Sequence, residues 1–398
     1  MPEKKKVLFV NYSLHSGGIE KSLVTLLSLF DYESYEVDLQ LFANDGMFLS
    51  RVSPRAHLLE PLFPKEYKLN IRKAFFALIG KGHPLIALCR LLVTFAGLHG
   101  TMGERLVRMW NVEKHFIRSP KKEYDAVVAF MEGQPIYYAV TKVKSKTKIG
   151  FIHGDYLAMG LNKDFDYGFI KELDALCTVS ESCRAALDKT FPEFKNKFHV
   201  IYNIISATFM RDMANEPADF EDDFTGTRIL TIARLSHQKG LDIALPAIST
   251  LKKEGYQFKW YIIGIGPEEA SLKVMAEQLD IADTVRFMGE RANPYPYLKA
   301  CDIYLQPSRF EGKSIAVDEA MVMCRPILLT DFSTAADQIT SGKNGLIVPM
   351  TGEGVADGLQ ILLRNPERRA CFTSELEKCD YTNEDEIKKL YALIDEKN

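Results

Sequence analysis

The sequence predicts an α/β fold with parallel sheets, divided between two domains. Short apolar runs alternate with helix-periodic segments through most of the chain, as repeated βαβ units produce. At 398 residues the chain exceeds what one hydrophobic core ordinarily serves and suits two domains of roughly 150 to 200 residues. The strand and helix pattern also restarts after an acidic, irregular stretch near the middle. The expected division is 1–211, a linker over 212–227, a second domain over 228–380 and a helical tail over 381–398. Hydrophobic residues at 46% and charged residues at 26% exclude global disorder.

The first strand is the apolar run Val7-Leu8-Phe9-Val10. Ser16-Gly17-Gly18-Ile19-Glu20 follows it, with Leu23, Leu26, Leu27 and Phe30 at helical spacing behind. A glycine turn feeding a helix lets backbone approach an anion, so Gly17 and Gly18 are candidate ligand contacts; the alternative is a plain tight turn. Further strands of this half are expected over 37–42, 126–130, 148–153, 175–179 and 198–202. The second half adds strands over 228–233, 258–263, 285–288, 302–306, 326–330 and 345–348.

The seven cysteines are scattered, with no Cys-x-x-Cys pair. That spacing fits neither a disulfide framework nor a zinc site and suits a reducing compartment. Met-Pro-Glu-Lys-Lys-Lys leads straight into the first strand without a signal-peptide core. No uncharged apolar run reaches the roughly 18 residues of a membrane span. The expected location is cytoplasmic, soluble or peripheral at the inner face of the membrane. The net charge of −3 conceals a contrast: residues 65–122 hold 12 Lys and Arg against 3 Asp and Glu, an excess of 9 that leaves −12 for the rest. Apolar stretches 74–79 and 85–98 lie beside Lys68, Arg72, Lys73, Lys81, Arg90, Arg105 and Arg108. This pattern suits contact with an anionic membrane, or equally a pair of buried helices with solvated basic faces. No nucleic-acid recognition motif accompanies the charge.

The chemistry concentrates in the second half. Glu311 and Glu319 follow an apolar strand and open an apolar helix in Phe310-Glu-Gly-Lys-Ser-Ile-Ala-Val-Asp-Glu-Ala320, where open sheets bind phosphorylated ligands. Ala233-Arg-Leu-Ser-His-Gln-Lys-Gly240 puts Arg234 and Lys239 in another strand-to-helix turn, and Gly264-Ile-Gly266-Pro267 lies between the two segments. Two cations, two carboxylates and a glycine turn suggest a sugar-nucleotide site. Each group alone also reads as a solvated turn or as helix N-terminal charge. Gly312-Lys313-Ser314 is not a phosphate-cradling Walker loop, which needs glycine where Pro307 stands. Gly264 and Gly266 lack the third glycine of a dinucleotide fingerprint, position 269 being Glu.

The order Arg, Lys, Gly-x-Gly-Pro, then Pro-Ser-x-x-Glu-Gly with a second Glu eight positions after the first, resembles the retaining glycosyltransferases of family 4. The resemblance covers 228–349 well and the first half more loosely. It implies a GT-B fold, two Rossmann-like domains facing across a cleft, with the tail packed back on the first, acceptor-binding domain. It further implies transfer of a sugar, with retention, from a nucleotide-diphosphate donor such as a UDP-sugar to a glycan or lipid-linked acceptor in cell-surface polysaccharide synthesis. Arg234 and Lys239 would hold the leaving diphosphate and Glu311 the donor-sugar hydroxyls. Glu319 would hold the ribose, and backbone amides of Gly312, Lys313, Ser314 and Ile315 would face the phosphates. His153, at a strand end in Phe151-Ile-His-Gly-Asp155, would contact the donor; a lone histidine also reads as structural. Glu132, after another strand in Ala-Phe-Met-Glu-Gly133, is a lesser candidate for orienting acceptor or donor, and Asp155 a lesser one still. The resemblance also implies no cofactor and no metal ion, and the sequence agrees, since Arg234 and Lys239 can replace a divalent ion; Asp164-Phe-Asp166 reads as a loop or helix start. The run Tyr202-Asn-Ile-Ile-Ser206 lacks the Gly and Asp common in the family, and Lys313 replaces an aromatic or small residue, which leaves the donor sugar open. Two rival readings are a sugar-nucleotide epimerase of the same architecture and a non-catalytic partner of a transferase.

Overall fold

The computed structural model describes residues 3–15, 18–157, 159–311 and 313–396. The chain divides into two compact units, one of residues 1–204 with 384–398 and one of residues 205–383.

The first unit carries β1 (Lys5–Asn11), β2 (Tyr35–Leu41), β3 (His57–Leu58), β4 (Tyr124–Ala129), β5 (Ser145–Ile152), β6 (Ala175–Thr178) and β7 (Phe198–Val200). They form a parallel sheet in the order β3-β2-β1-β4-β5-β6-β7. Val7 of β1 pairs with Val37 on one side and Ala126 on the other. Val7, Leu8, Phe9 and Val10 are all fully buried, because helices cover both faces and every side chain of a central strand enters a core. The two-residue β3 was not legible in the sequence, being too short to show a period. The helix Glu386–Asp395 belongs to this unit. Tyr391 stacks on Tyr35 at 5.2 Å, and Asp395 accepts from Lys5 Nζ at 2.8 Å.

The second unit holds β8 (Thr227–Ile232), β9 (Phe258–Ile263), β10 (Val285–Gly289), β11 (Ile303–Gln306), β12 (Ile327–Thr330) and β13 (Gly345–Val348). These also lie parallel, in the order β10-β9-β8-β11-β12-β13. In both sheets the strand order reverses beside the first strand, between β1 and β4 and between β8 and β11. The crevice beyond the strand C-termini at such a reversal is where doubly wound sheets place ligands.

The division falls before the acidic stretch expected as a linker over 212–227. Ser206 caps the helix Ala207–Met213 by accepting from Phe209 N, and Met210, Met213 and Phe220 enter the second unit's core. Phe220 packs edge-on against Tyr261 at 4.6 Å, and Asp222 takes an ion pair from Lys259 at 2.9 Å. Composition registered the charge of this stretch, whereas the aromatic ring between its carboxylates decides where it packs.

Candidate active site

At the reversal of the second sheet, the turns after β8 and β11 bring Lys239 and Glu311 together, Nζ to Oε1 at 2.6 Å. Their side chains are 19% and 6% exposed. Gln306 Nε2 and Ser308 Oγ donate to the same Oε1 at 2.7 and 2.6 Å, and Gln238 Nε2 donates to Oε2 at 3.3 Å. Tyr304, fully buried, donates to Gln306 Oε1 at 2.7 Å and so turns the amide nitrogen toward the glutamate. A low-dielectric network with every member paired fixes a side chain in one rotamer. Burial, and then the charges of Glu319 and Glu311, push the Tyr304 phenol up, so it remains a donor.

The two turns are also tied behind the pair. Arg309 forks onto Asp242 at 2.7 and 2.6 Å, its Nη1 donates to His237 O at 2.8 Å, and its backbone N donates to Gln238 O at 2.8 Å. Hydrogen bonding to Arg309 holds the Asp242 carboxyl below the usual range. Gly240 has φ of +62°, and a Cβ there would lie 2.0 Å from Pro307 O. The β8 turn therefore meets the β11 turn by backbone contact that only glycine permits. Gly264 and Gly266 play the same part on the other side. Cβ atoms there would approach Ala233 O to 1.9 Å and Leu235 O to 2.2 Å, while Leu235 N donates to Ile265 O at 3.0 Å. Both expected donor-binding glycines thus press the β9 turn onto the segment bearing Arg234.

Arg234 is exposed; its carbonyl accepts from Ser236 N at 2.9 Å, while its guanidinium makes no hydrogen bond or ion pair among the described residues. Lys239, expected to hold a diphosphate, places its ammonium on Glu311. Glu319 is 3% exposed in the helix Ile315–Val322, and Tyr295 OH donates to its Oε1 at 3.0 Å. The Ser314 amide, expected to face phosphate, donates to Gln338 Oε1 at 3.2 Å, and Gln338 Nε2 donates back to Ser314 O at 2.9 Å. A phosphate would compete with Gln338 for that amide. Ile315 begins the helix, where geometry leaves its amide without an intrahelical acceptor. Lys313 is exposed and pairs with Asp318 at 3.2 Å. Gly312 lies outside the described residues, as does Gly17 in the first unit.

In the first unit the corresponding reversal gathers the ends of β1, β4 and β5. His153 stands one residue beyond β5, its ring packed against the touching rings of Phe130 and Phe151 at 4.9 and 5.7 Å. Its Nε2 lies 3.0 Å from Phe130 O, and since a carbonyl only accepts, that nitrogen carries the proton. Burial pushes the imidazole down to about 4, so it is neutral at pH 7 and Nδ1 is an acceptor. Among the described residues Nδ1 makes no hydrogen bond of standard geometry, although Asn203 lies close enough to favour the protonated ring. Glu132 Oε2 accepts from the His153 amide at 3.2 Å. Burial raises the Glu132 carboxyl, Glu20 adds to the effect, and burial likewise raises Glu20. Gly18 is the exposed first residue of the helix Gly18–Leu29. Near that helix start, Lys68 Nζ donates to Asp45 at 2.6 Å and lies 3.2 Å from His15 Nε2. Asp155 accepts from Leu157 N at 2.9 Å in a local turn. Asp164 and Asp166 fall in the first turn of the helix Lys163–Glu172, and Tyr137 and Tyr156 donate to Asp166 at 2.5 and 2.7 Å.

Sequence reasoning missed Gln306, Gln238, Tyr304 and the Arg309–Asp242 fork. Ser308 stood inside the Pro-Ser-x-x-Glu-Gly motif without an assigned part. The signal available was the flanking of Pro307 by two polar residues at the end of an apolar strand.

Residues 214–378 match the family of glycosyl transferases group 1. Over 92% of both chains, the sequence is 23% identical to the N-acetylgalactosamine-N,N'-diacetylbacillosaminyl-diphospho-undecaprenol 4-alpha-N-acetylgalactosaminyltransferase of Campylobacter jejuni. It is 34% identical to the putative colanic acid biosynthesis glycosyltransferase WcaL of Salmonella typhimurium, over 30% of this chain and 32% of that one. Among solved structures, the fold matches Anabaena Alr3699/HepE in complex with UDP and glucose with a TM-score of 0.66, at 16% identity and over 98% of both chains. The segment that matches this family encloses Lys239, Glu311 and Glu319, and the two doubly wound sheets have the GT-B fold.

Proposed function

We propose that the protein transfers a sugar, with retention of anomeric configuration, from a UDP-sugar to a lipid-linked glycan acceptor in cell-surface polysaccharide synthesis. The observation that carries this reading is the Glu311 carboxylate, held at 6% exposure by Lys239, Gln306 and Ser308 at the sheet reversal. A carboxylate so fixed is placed to accept hydrogen bonds from sugar hydroxyls rather than to move. Arg234, exposed in the turn after β8 and with a guanidinium that has no partner among the described residues, supplies positive charge for a departing diphosphate. Lys239 contributes charge to the same phosphates while positioning Glu311. In this reading Glu319 takes the ribose, and the first amides of the helix Ile315–Val322 take phosphate oxygens.

The neutral His153 contributes Nδ1 as an acceptor for a donor-sugar hydroxyl, and Glu132 orients the acceptor. The leaving phosphate assists deprotonation of the incoming hydroxyl through an oxocarbenium-like state. Exclusion of water then favours transfer over hydrolysis. The two cations take the role a divalent ion fills elsewhere, so the reaction proceeds without a metal cofactor. The acceptor chemistry and the UDP donor rest on the Campylobacter relative, whose name specifies a diphospho-undecaprenol acceptor, and on the UDP-bound Anabaena structure. Product stereochemistry tests the mechanism: NMR of the glycoside formed from an α-linked donor should show an α linkage, and a β linkage would refute it.

A further inference from the structure

The structure places an unusual surface in the basic segment of the first unit. The helices Ile71–Gly80 and Pro84–Ala96 bury Ala74, Leu78, Ala87, Cys89 and Val93 in that unit's core. Their outer faces carry large apolar side chains as well. On the second helix, Leu85, Leu88, Leu92 and Phe95 follow one another at helical spacing and are 67%, 47%, 43% and 68% exposed. Phe76 and Ile79 on the first helix are 72% and 45% exposed, and Leu98 beyond the pair is 57% exposed. A surface helix of a soluble domain ordinarily turns polar residues outward, and a helix apolar all round is normally covered on both sides. At 13 residues the second helix is too short to span a bilayer. Among the described residues no helix is long and apolar enough to do so.

Charge identifies what covers this face. Between Glu66 and Glu104 there is no acidic residue, while Lys68, Arg72, Lys73, Lys81 and Arg90 are basic. Arg72 and Lys73 are exposed along the same rim as Phe76 and Ile79, and Lys81, also exposed, donates to Glu66 Oε1 at 2.6 Å. Two copies meeting through this face would oppose like charges, whereas an anionic lipid surface complements it. We propose that the paired helices Ile71–Gly80 and Pro84–Ala96 dock the protein on an anionic bilayer, with Phe76, Leu85, Leu88, Leu92 and Phe95 entering the acyl boundary and Arg72 and Lys73 meeting headgroup phosphates. The docked face deepens the reading of a lipid-linked acceptor, and its purpose rests on that reading; the docking itself does not.

Flotation of the full chain with phosphatidylglycerol-containing vesicles, without donor or acceptor, tests the surface separately from the chemistry. The intact protein should float with anionic vesicles and remain behind with phosphatidylcholine vesicles. Phe76→Ser with Phe95→Ser should weaken binding roughly tenfold or more through lost apolar transfer. Arg72→Glu with Lys73→Glu should do so comparably, while placing acid in a helical first turn, which favours folding. Binding of UDP, measured by calorimetry, should be unchanged in both variants. Failure of the intact protein to float on anionic vesicles would overturn the proposal, as would equal binding to neutral vesicles. So would a dimer in sedimentation velocity that Phe76→Ser with Phe95→Ser dissolves.

Discussion

The Lys239–Glu311 pair yields the sharpest energetic prediction. Removing one partner of a fully buried ion pair costs about 3 to 5 kcal/mol because the other charge is left uncompensated. Here Lys239 is 19% exposed, and the carboxylate keeps Gln306, Ser308 and Gln238 as donors. The cost of Lys239→Met should therefore fall to about 2 kcal/mol. Glu311→Gln, which preserves shape, should cost about 1 to 2 kcal/mol. The double variant should recover about 1 kcal/mol of their sum, since residues in one network are not additive. The chain offers a clean probe, having two tryptophans, Trp110 in the first unit and the fully buried Trp260 in the second. Trp260 donates from Nε1 to Thr231 Oγ1 at 2.9 Å, on the strand that leads to Lys239. Urea unfolding followed by Trp260 fluorescence in a Trp110→Phe background reports the second unit alone. A coupling below about 0.3 kcal/mol, the scatter for independent sites, would refute the network reading.

Other expectations follow from single positions. Gly264→Ala combines a φ of +141° with a Cβ 1.9 Å from Ala233 O, so it should lower the second unit's stability by about 2 kcal/mol or more in the same assay and weaken UDP binding. His153, pushed down to about 4, binds a proton in the unfolded chain before the folded one does. Its contribution therefore makes first-unit stability fall as pH drops from about 6.5 to about 4, by up to about 3 kcal/mol. An NMR titration should show its imidazole neutral at pH 5.5, and an ordinary midpoint near 6.5 would contradict the geometry. Glu113 is fully buried, and burial raises its carboxyl to about 8, although Tyr67 donates to it at 3.2 Å. The unfolded chain releases that proton first, so stability should fall as pH rises from about 4.5 to about 8, by up to about 5 kcal/mol. Glu113→Gln should flatten that slope in urea unfolding followed by Trp110.

The sheets were legible because parallel strands buried on both faces leave unbroken apolar runs, as in Val7–Val10 and Ile327–Leu329. Glu311 and Lys239 were legible because a fixed spacing at strand ends carries chemistry in the sequence itself. Their contact was not, since it depends on two turns 72 residues apart meeting through Gly240 and Pro307. Arg309 and Asp242 gave no signal for the same reason: each looks like a solvated charge until the turns are joined. Leu85, Leu88, Leu92 and Phe95 were read as part of an apolar stretch, but an all-apolar helix has no polar face to show which side meets the core. The division at 204–205 was hidden because Phe220 lies among Asp219, Glu221, Asp222 and Asp223, whose charge dominates any local average.

The central claim is glycosyl transfer at a site centred on Glu311. The direct measurement incubates the intact protein with a panel of nucleotide sugars, with and without membrane lipid extract, and follows released nucleoside diphosphate. Release from one UDP-sugar, rising with extract and lost in Glu311→Ala, is the expected result. Release that Glu311→Ala leaves intact, or turnover of the nucleotide sugar to an epimer without an acceptor, would contradict the account.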